Sequence, residues 1–434
     1  MTVSFHTLGC KLNFAETSTI GRLFAENGYT KVEFGQPADV VVINTCTVTA
    51  QADKKCRQAI GKAVKSSPDA VVVVIGCFAE LKAAEIAAMQ GVDLVLGNKD
   101  KFNVIAHINR LKGITTETSL YNCDACQQFF ASYSLFDRTR SFLKVQDGCD
   151  YRCTYCTIPK ARGRSRNAPV AEIVDQAKRV AGKGIKEIVL TGVNIGDFGR
   201  STGETFLQLL QALDAVEPLE RIRIGSVEPN LITEEMVAFM AASRKLAPHF
   251  HLPLQSGCNK ILGLMARRYR REWFSGKVEM IRRYIPRAGI GADVIVGFPG
   301  ETDGDFEDTR AFIENLALSY LHVFTYSERP ETVATELSGK VKPSDAEQRS
   351  KILLELSVNK RLQFYQQNTG QCLRVIFEQR AKGDMMTGFT DSYIKVEVPY
   401  NALLIGKCVH VELTGVNQSG KMTGNIFRTT ESTY

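Results

Sequence analysis

Over the first ~110 residues, short apolar runs alternate with stretches whose apolar positions recur at helical spacing. Val3–Leu8, Asp39–Asn44, Ala70–Ile75 and Asp93–Leu96 read as buried strands. Asn13–Asn27, Ala50–Ser66 and Ala79–Met89 read as helices between them. Strand, helix, strand with short links predicts a parallel sheet covered on both faces. The rhythm stops over 113–134, where Thr, Ser, Asn and Gln dominate and a linker is expected.

A longer βα series follows. Its strands are Phe142–Gln146, Glu187–Thr191, Arg221–Ser226, Phe250–Leu254, Gly291–Val296 and Leu321–Tyr326, with helices such as Val170–Ala181, Phe206–Val216 and Asp305–Leu316 between them. Six units fall short of the eight that close a barrel, so a partial (β/α)6 barrel is expected. Ser344–Gln367 reads as a helix. After Gly370 the texture is all-β, with strands at Cys372–Glu378, Tyr393–Val398, Val409–Thr414 and Met422–Phe427, which suggests a small OB-like barrel. The expected class is α/β, divided into an α/β domain over 1–112, a linker over 113–134, a barrel over 135–368 and a small β domain over 369–434.

Composition narrows the chemistry. No apolar run approaches the ~20 residues of a membrane helix. The opening Met-Thr-Val-Ser-Phe-His lacks a basic stretch followed by an apolar core, so a cytoplasmic place is expected. Lys and Arg number 54 against 47 acids, an excess too small to name a partner by itself. The twelve Cys matter more, because thiols kept reduced and set at organised spacings suggest metal or catalysis.

Cys10, Cys46 and Cys77 each follow a predicted strand of the first sheet. The carboxyl edge of a parallel sheet is where such folds bind ligands, so three distant thiols converge. Gly9 and Gly76 let the backbone turn beside them. Small buried Cys also fill cores, but three at equivalent positions argue against that alone. Structural zinc would need a fourth donor, whereas a [4Fe–4S] cluster on three Cys keeps one iron open. Cys149, Cys153 and Cys156 form a second trio, Cys-x3-Cys-x2-Cys, just beyond the first barrel strand. A short loop of this kind can wrap one cluster, again with one iron unligated, and no further Cys or His pair follows to make a zinc ribbon.

That triplet, with Tyr155 before its last Cys, resembles the radical S-adenosylmethionine enzymes. The resemblance implies that the open iron chelates S-adenosylmethionine and that an electron passed through the cluster releases a 5′-deoxyadenosyl radical. It also implies cofactor contacts at Tyr155, at Thr191 and Gly192 in Leu-Thr-Gly-Val-Asn, at Glu228 in Gly-Ser-Val-Glu-Pro, and at Val296 and Gly297 in the fifth-strand motif. The Leu-Thr-Gly-Val-Asn segment lacks the acidic residue usual in that family's motif.

The full layout resembles the methylthiotransferases, which join a three-Cys cluster domain, a radical barrel and a C-terminal TRAM domain. His251-Leu-Pro-Leu-Gln-Ser-Gly257 is typical of them. Gly9-Cys-Lys-Leu-Asn13 and Cys156–Arg164 look most like the branch acting on N6-threonylcarbamoyladenosine beside the tRNA anticodon. The resemblance implies two [4Fe–4S] clusters, S-adenosylmethionine, an anticodon stem-loop as substrate, an electron donor such as flavodoxin or ferredoxin, and a sulfur donor. Branches acting on N6-isopentenyladenosine or on a ribosomal-protein aspartate are the nearest alternatives. An iron–sulfur electron carrier or RNA-binding protein without turnover is the non-enzymatic one, and its irons would be fully ligated.

For RNA, Lys160, Arg162, Arg164 and Arg166 alternate along a segment that, if extended, would line one face for phosphates. Ala266–Arg287 holds eight Lys/Arg and two acids, which a solvated helix face explains equally well. His251 stands at the barrel mouth, where a substrate contact and a structural role are both open. Phe377, Phe389, Tyr393 and Phe427 are compatible with base stacking, although such aromatics are more often core. Cys123 and Cys126 form a lone pair in the linker, and Cys56, Cys258, Cys372 and Cys408 read as packing residues.

Overall fold

The computed structural model describes residues 1–113, 128–135 and 139–427. The first sheet contains β1 (Thr2–Thr7), β2 (Thr30–Val32), β3 (Val40–Thr45), β4 (Val71–Gly76) and β5 (Leu94–Leu96), in the order β2-β1-β3-β4-β5 and all parallel. The Val/Ile runs of β3 and β4 are buried on both faces. Val40, Val42, Val73 and Ile75 join one core, while Val41, Ile43, Val72 and Val74 join the other. That split follows from the period-2 alternation of a strand. β2 and the helix Val104–Leu111 were not expected. The predicted helix Ala79–Met89 is instead two short ones, Cys77–Leu81 and Ala83–Ala87.

The central series is β6 (Ser141–Lys144), β7 (Glu187–Thr191), β8 (Arg221–Ile224), β9 (His249–Gln255), β10 (Gly289–Val296) and β11 (Tyr320–Thr325). Two parallel three-stranded sheets, β6-β7-β8 and β9-β10-β11, meet at the bridges Ile222–Leu246 and Ser226–His251. Leu143, Ile188, Leu190, Ile222, Ile224, Ile290, Ala292, Val294 and Val296 point outward into the core under the helices. The alternate residues, including Arg223, Asp293 and His322, belong to the opposite, inner face.

The first domain spans the open side of this partial barrel. Helix Lys11–Glu26 packs on β6, where Ala15 shares a buried cluster with Phe142 and Val189 and Phe14 packs against it. Near β11, Arg329 Nη2 donates to Thr47 Oγ1 at 2.7 Å and Asp53 Oδ2 at 2.8 Å. Residues 128–134, from the stretch expected to be a linker, line the edge of β6: Ser134 N–H donates to Phe142 O at 3.0 Å and Lys144 N–H to Ser132 O at 2.9 Å. Cys123 and Cys126 lie outside the described residues.

After helix Pro343–Gln366, a closed barrel forms from β12 (Cys372–Lys382), β13 (Met385–Thr390), β14 (Lys395–Pro399), β15 (Cys408–Val416) and β16 (Met422–Ile426), ordered β12-β13-β14-β16-β15. β13 carries no aliphatic run, so the sequence pattern does not mark it. Its Gly388 fits because a Cβ there would stand 2.6 Å from Val375 Cγ1. Phe377 is fully buried in this domain's core, which removes it from the candidate stacking residues. The loop after β13 caps the barrel floor: Arg223 donates to Thr390 O at 3.0 Å and Asp391 O at 2.9 Å.

Candidate active site

The sheet edge gathers the first trio as expected. Cys10 precedes helix Lys11–Glu26, Cys46 follows β3, and Cys77 begins the helix after β4. Gly9 has φ +101°, and a Cβ on it would come within 2.6 Å of Cys46 Cβ, so only glycine lets these loops approach. Burial pushes the Cys46 thiol up to about 12, with the Cys10 and Cys77 sulfurs adding to the rise. Burial likewise raises Cys10, against the pull of Arg162. Asn98 Nδ2 lies 3.7 Å from Cys77 Sγ and donates to Ala161 O at 2.7 Å, tying this trio to the segment after the second one.

The second trio is shaped by Gly148 and Gln146. Gly148 sits at φ +72°, and any Cβ there would run into the Arg164 carbonyl. Buried Gln146 donates to the carbonyls of Asp147 and Gly148 and accepts from the Val193 and Asn194 N–H groups. It therefore locks the cysteine loop to the segment after β7. Burial drives Cys149 up to about 11 and Cys156 to about 12, reinforced in each case by a neighbouring cysteine of the trio.

Between the trios lies a buried ionic network. Glu16 receives Lys101, Lys144 and Arg162 at 2.5, 3.0 and 3.1 Å. Asp147 receives Lys144, Arg162 and Arg166 at 2.7, 3.0 and 3.0 Å. This corrects the expectation of a phosphate-facing row. The segment Ile158–Arg162 is a short helix rather than an extended strand, and Arg162 and Arg166 are buried among carboxylates. Lys160, paired with Glu331 at 3.1 Å, and Arg164 remain at the surface.

The implied cofactor residues divide. Tyr155 packs edge-on to Phe298 with ring centroids 6.2 Å apart. Glu228 pairs with Arg267, whose Nη1 also lies 3.1 Å from Cys153 Sγ. Arg267 was hidden within a basic stretch, and nothing in its spacing marked it. Thr191 closes β7, and Gly192 has no room for a Cβ because Gln146 O would be 2.8 Å away. Val296 and Gly297 depart from expectation. The Val296 side chain is in the outer core, its carbonyl accepts from Tyr326 N–H at 2.8 Å, and Gly297 N–H donates to Glu301 at 2.7 Å.

His251 Nε2 lies 2.8 Å from Asp293 Oδ1, and His322 Nδ1 lies 3.3 Å from the same oxygen. Burial works against ionised Asp293, but hydrogen bonds from the two imidazoles prevail and hold it well below the usual carboxylate range. The sequence marks His251 and the strand carrying Asp293, but nothing in its local pattern signals that His322 joins them.

The donor sets can be tested against what they would hold. Four sulfurs around one zinc at ~2.3 Å stand ~3.8 Å apart. Among the described residues, only His251, Asp293 and His322 bring three ligand atoms within 4.8 Å of one another. Neither cysteine trio is thus drawn in tightly enough for a single ion. Such spread suits a cluster that takes one sulfur at each of three corners. Beside the second trio, both side-chain polar atoms of buried Asn194 lack a partner, as expected where a polar ligand completes the site. Both trios and their surroundings therefore fit iron–sulfur clusters, with S-adenosylmethionine at the second.

A partial barrel with this cysteine loop and a second three-thiol site defines a radical S-adenosylmethionine enzyme with an auxiliary cluster. Residues 143–313 match the Radical SAM superfamily, and residues 2–97 match the family described as Uncharacterized protein family UPF0004. The threonylcarbamoyladenosine tRNA methylthiotransferase MtaB of Bacillus subtilis (strain 168) is 39% identical over 95% of this chain and 93% of its own length. That of Aquifex aeolicus (strain VF5) is 40% identical over 92% and 96%. The tRNA-2-methylthio-N(6)-dimethylallyladenosine synthase of Endomicrobium trichonymphae is 30% identical over 95% and 97%. The chain belongs to the radical S-adenosylmethionine tRNA methylthiotransferase family. In fold it is similar to the radical S-adenosylmethionine methyltransferase TsrM from Kitasatospora setae, with a TM-score of 0.56 at 14% identity over 89% of this chain and 80% of that one. No described helix is long and apolar enough to cross a membrane.

Proposed function

We propose that this enzyme places a methylthio group on C2 of N6-threonylcarbamoyladenosine at position 37 of tRNA, beside the anticodon. The observation that carries the reading is the pair of three-thiol sites joined through one buried network, Glu16 with Arg162 and Asp147. When bound, the two clusters and two molecules of S-adenosylmethionine would supply a radical that can take an unactivated ring hydrogen, the sulfur that replaces it and the methyl group carried on that sulfur. The chain itself positions and shields. Cys149, Cys153 and Cys156 hold one cluster, and Cys10, Cys46 and Cys77 hold the other. Asn194 and Glu228 offer polar groups to S-adenosylmethionine, and Tyr155 packs beside them. His251, oriented by Asp293, offers the substrate base a hydrogen-bonding edge within the barrel. The ion network keeps the two sites at one separation and excludes water between them.

Lys160 and Arg164 remain the candidates for phosphate contact on this face. A small cytoplasmic flavodoxin or ferredoxin would deliver electrons, and a separate donor would restore sulfur.

The dimethylallyladenosine relatives keep a second substrate in view, at 30–32% identity against 39–40% for the two MtaB relatives above. Nucleoside mass spectrometry of tRNA from a deletion strain separates the readings. Loss of the methylthiolated threonylcarbamoyl nucleoside is expected. Its persistence, with loss of the isopentenyl form, would overturn the assignment.

A further inference from the structure

A cleft of about 180 Å³ opens where the three parts of the chain meet, and its chemistry is lopsided. Gly9, Lys11 and Phe14 line it from the first domain, and Tyr393 from the last. The barrel contributes Arg140, Phe142, Val189 and Arg223. Phe142, Val189 and Arg223 occupy matched register positions on β6, β7 and β8, so they form one layer of the barrel's inner face.

The three cations differ in how far they are neutralised. Arg223 is fully engaged: Nε is on Glu187 at 2.9 Å, and both terminal nitrogens are on backbone carbonyls. Arg140 reaches Glu378 at 3.2 Å through one nitrogen. Among the described residues the Lys11 ammonium has no ion-pair partner, although it lines the same cleft as both guanidiniums. Three cations facing one small cleft with a single fully buried carboxylate, Glu187, leave surplus positive charge there, carried by Lys11, which is exposed to the cleft. Such a place favours an anion and penalises a neutral apolar occupant. Lys11 also follows Cys10 directly, so the cleft adjoins the auxiliary site.

We propose that this cleft is the subsite for the N6 substituent of the substrate base, with Lys11 taking a carboxylate on that substituent and Arg140 supporting it. This rests on the threonylcarbamoyl reading above, because that substituent ends in a carboxylate whereas an isopentenyl group has no charge. Base chemistry agrees with the placement. C6, which carries the substituent, and C2 both flank N1 of one ring, so a group held through N6 leaves C2 turned toward a neighbouring reagent. Phe142, Val189 and Tyr393 supply the walls against which the rest of the substituent packs.

The test compares two anticodon stem-loops under anaerobic turnover, one with N6-threonylcarbamoyladenosine and one with its methyl ester. The wild-type enzyme is expected to favour the acid by about tenfold or more in kcat/KM. Lys11→Gln is expected to erase that preference, chiefly through KM on the acid, while still forming 5′-deoxyadenosine. Arg140→Gln, further from the cysteines, is expected to reduce it. If the wild type uses acid and ester equally, the subsite assignment fails while the proposed reaction stands. If an iron-replete Lys11→Gln enzyme keeps the full preference, the assignment of Lys11 fails. If the wild type modifies neither stem-loop, the substrate reading itself fails.

Discussion

Glu16 and Arg162 lie 146 residues apart yet form a buried two-point ion pair, with Arg162 Nη1 3.1 Å from Oε1 and Nη2 3.2 Å from Oε2. Glu16 belongs to the helix that begins after Cys10, and Arg162 ends the short helix after Cys156. The pair is therefore a strut between the two cysteine sites.

Removing one end of that strut should be costly. Glu16→Ala leaves buried Lys101 without a carboxylate partner, and Lys144 and Arg162 with only Asp147 to share. The expected loss is about 3–5 kcal/mol, read by denaturant unfolding. A loss below about 1 kcal/mol would show that the network is not holding the domains.

The two trios should separate by function. Alanine at Cys10, Cys46 or Cys77 is expected to remove roughly half the iron and all methylthiolation while leaving 5′-deoxyadenosine formation in place. Alanine at Cys149, Cys153 or Cys156 is expected to abolish 5′-deoxyadenosine as well. Iron analysis and product chromatography check both.

Gly148→Ala tests the loop geometry alone. With φ at +72° and the Arg164 carbonyl in the way of a Cβ, the expected cost is about 1–3 kcal/mol. Iron at the barrel cluster should fall, while the auxiliary cluster keeps its visible absorbance.

Arg267→Lys removes the fork that spans Glu228 and Cys153. A lysine makes one contact at a time. Binding of S-adenosylmethionine should weaken by about tenfold in equilibrium dialysis, with the iron content kept.

Acid should loosen the floor of the barrel. Burial alone would raise the Glu187 carboxyl, but Arg223 and Arg221 outweigh it and hold it at about 2, down from 4.5. A carboxyl lowered on folding stabilises above its unfolded value and loses that contribution as pH falls toward its folded one. The window is therefore from about 4.5 down to about 2. The full shift corresponds to about 3 kcal/mol. Glu187→Gln is expected to flatten the stability profile in that window, as followed by denaturant titration at stepped pH.

What was legible in the sequence had a local signature. Val40–Ile43 announces a doubly buried strand by its unbroken apolar run, and the cysteine spacings announce their sites within a few residues. What was missed depends on partners distant in the chain. Glu16 sits in an amphipathic helix where a lone acid reads as solvated, and its partners come from residues 101, 144 and 162. For the same reason Arg162 and Arg166 passed for phosphate ligands until Asp147 claimed them. Val296 and Gly297 matched a motif by letters, but the strand's alternation turns Val296 outward and Glu301 occupies the Gly297 N–H.

Phe14 packs on the side of the barrel that the first domain covers and the Ser392 carbonyl lies against Gly289 at its foot, which under the proposed function leaves the rim where the strands end as the way in for a base. A nucleotide reaching that depth has to swing clear of its stacked neighbours, which costs little at the tip of a hairpin and several kcal/mol within a paired stem. Under that reading, preference for an unpaired tip comes from how the vessel is stoppered, before any letter of the RNA is read.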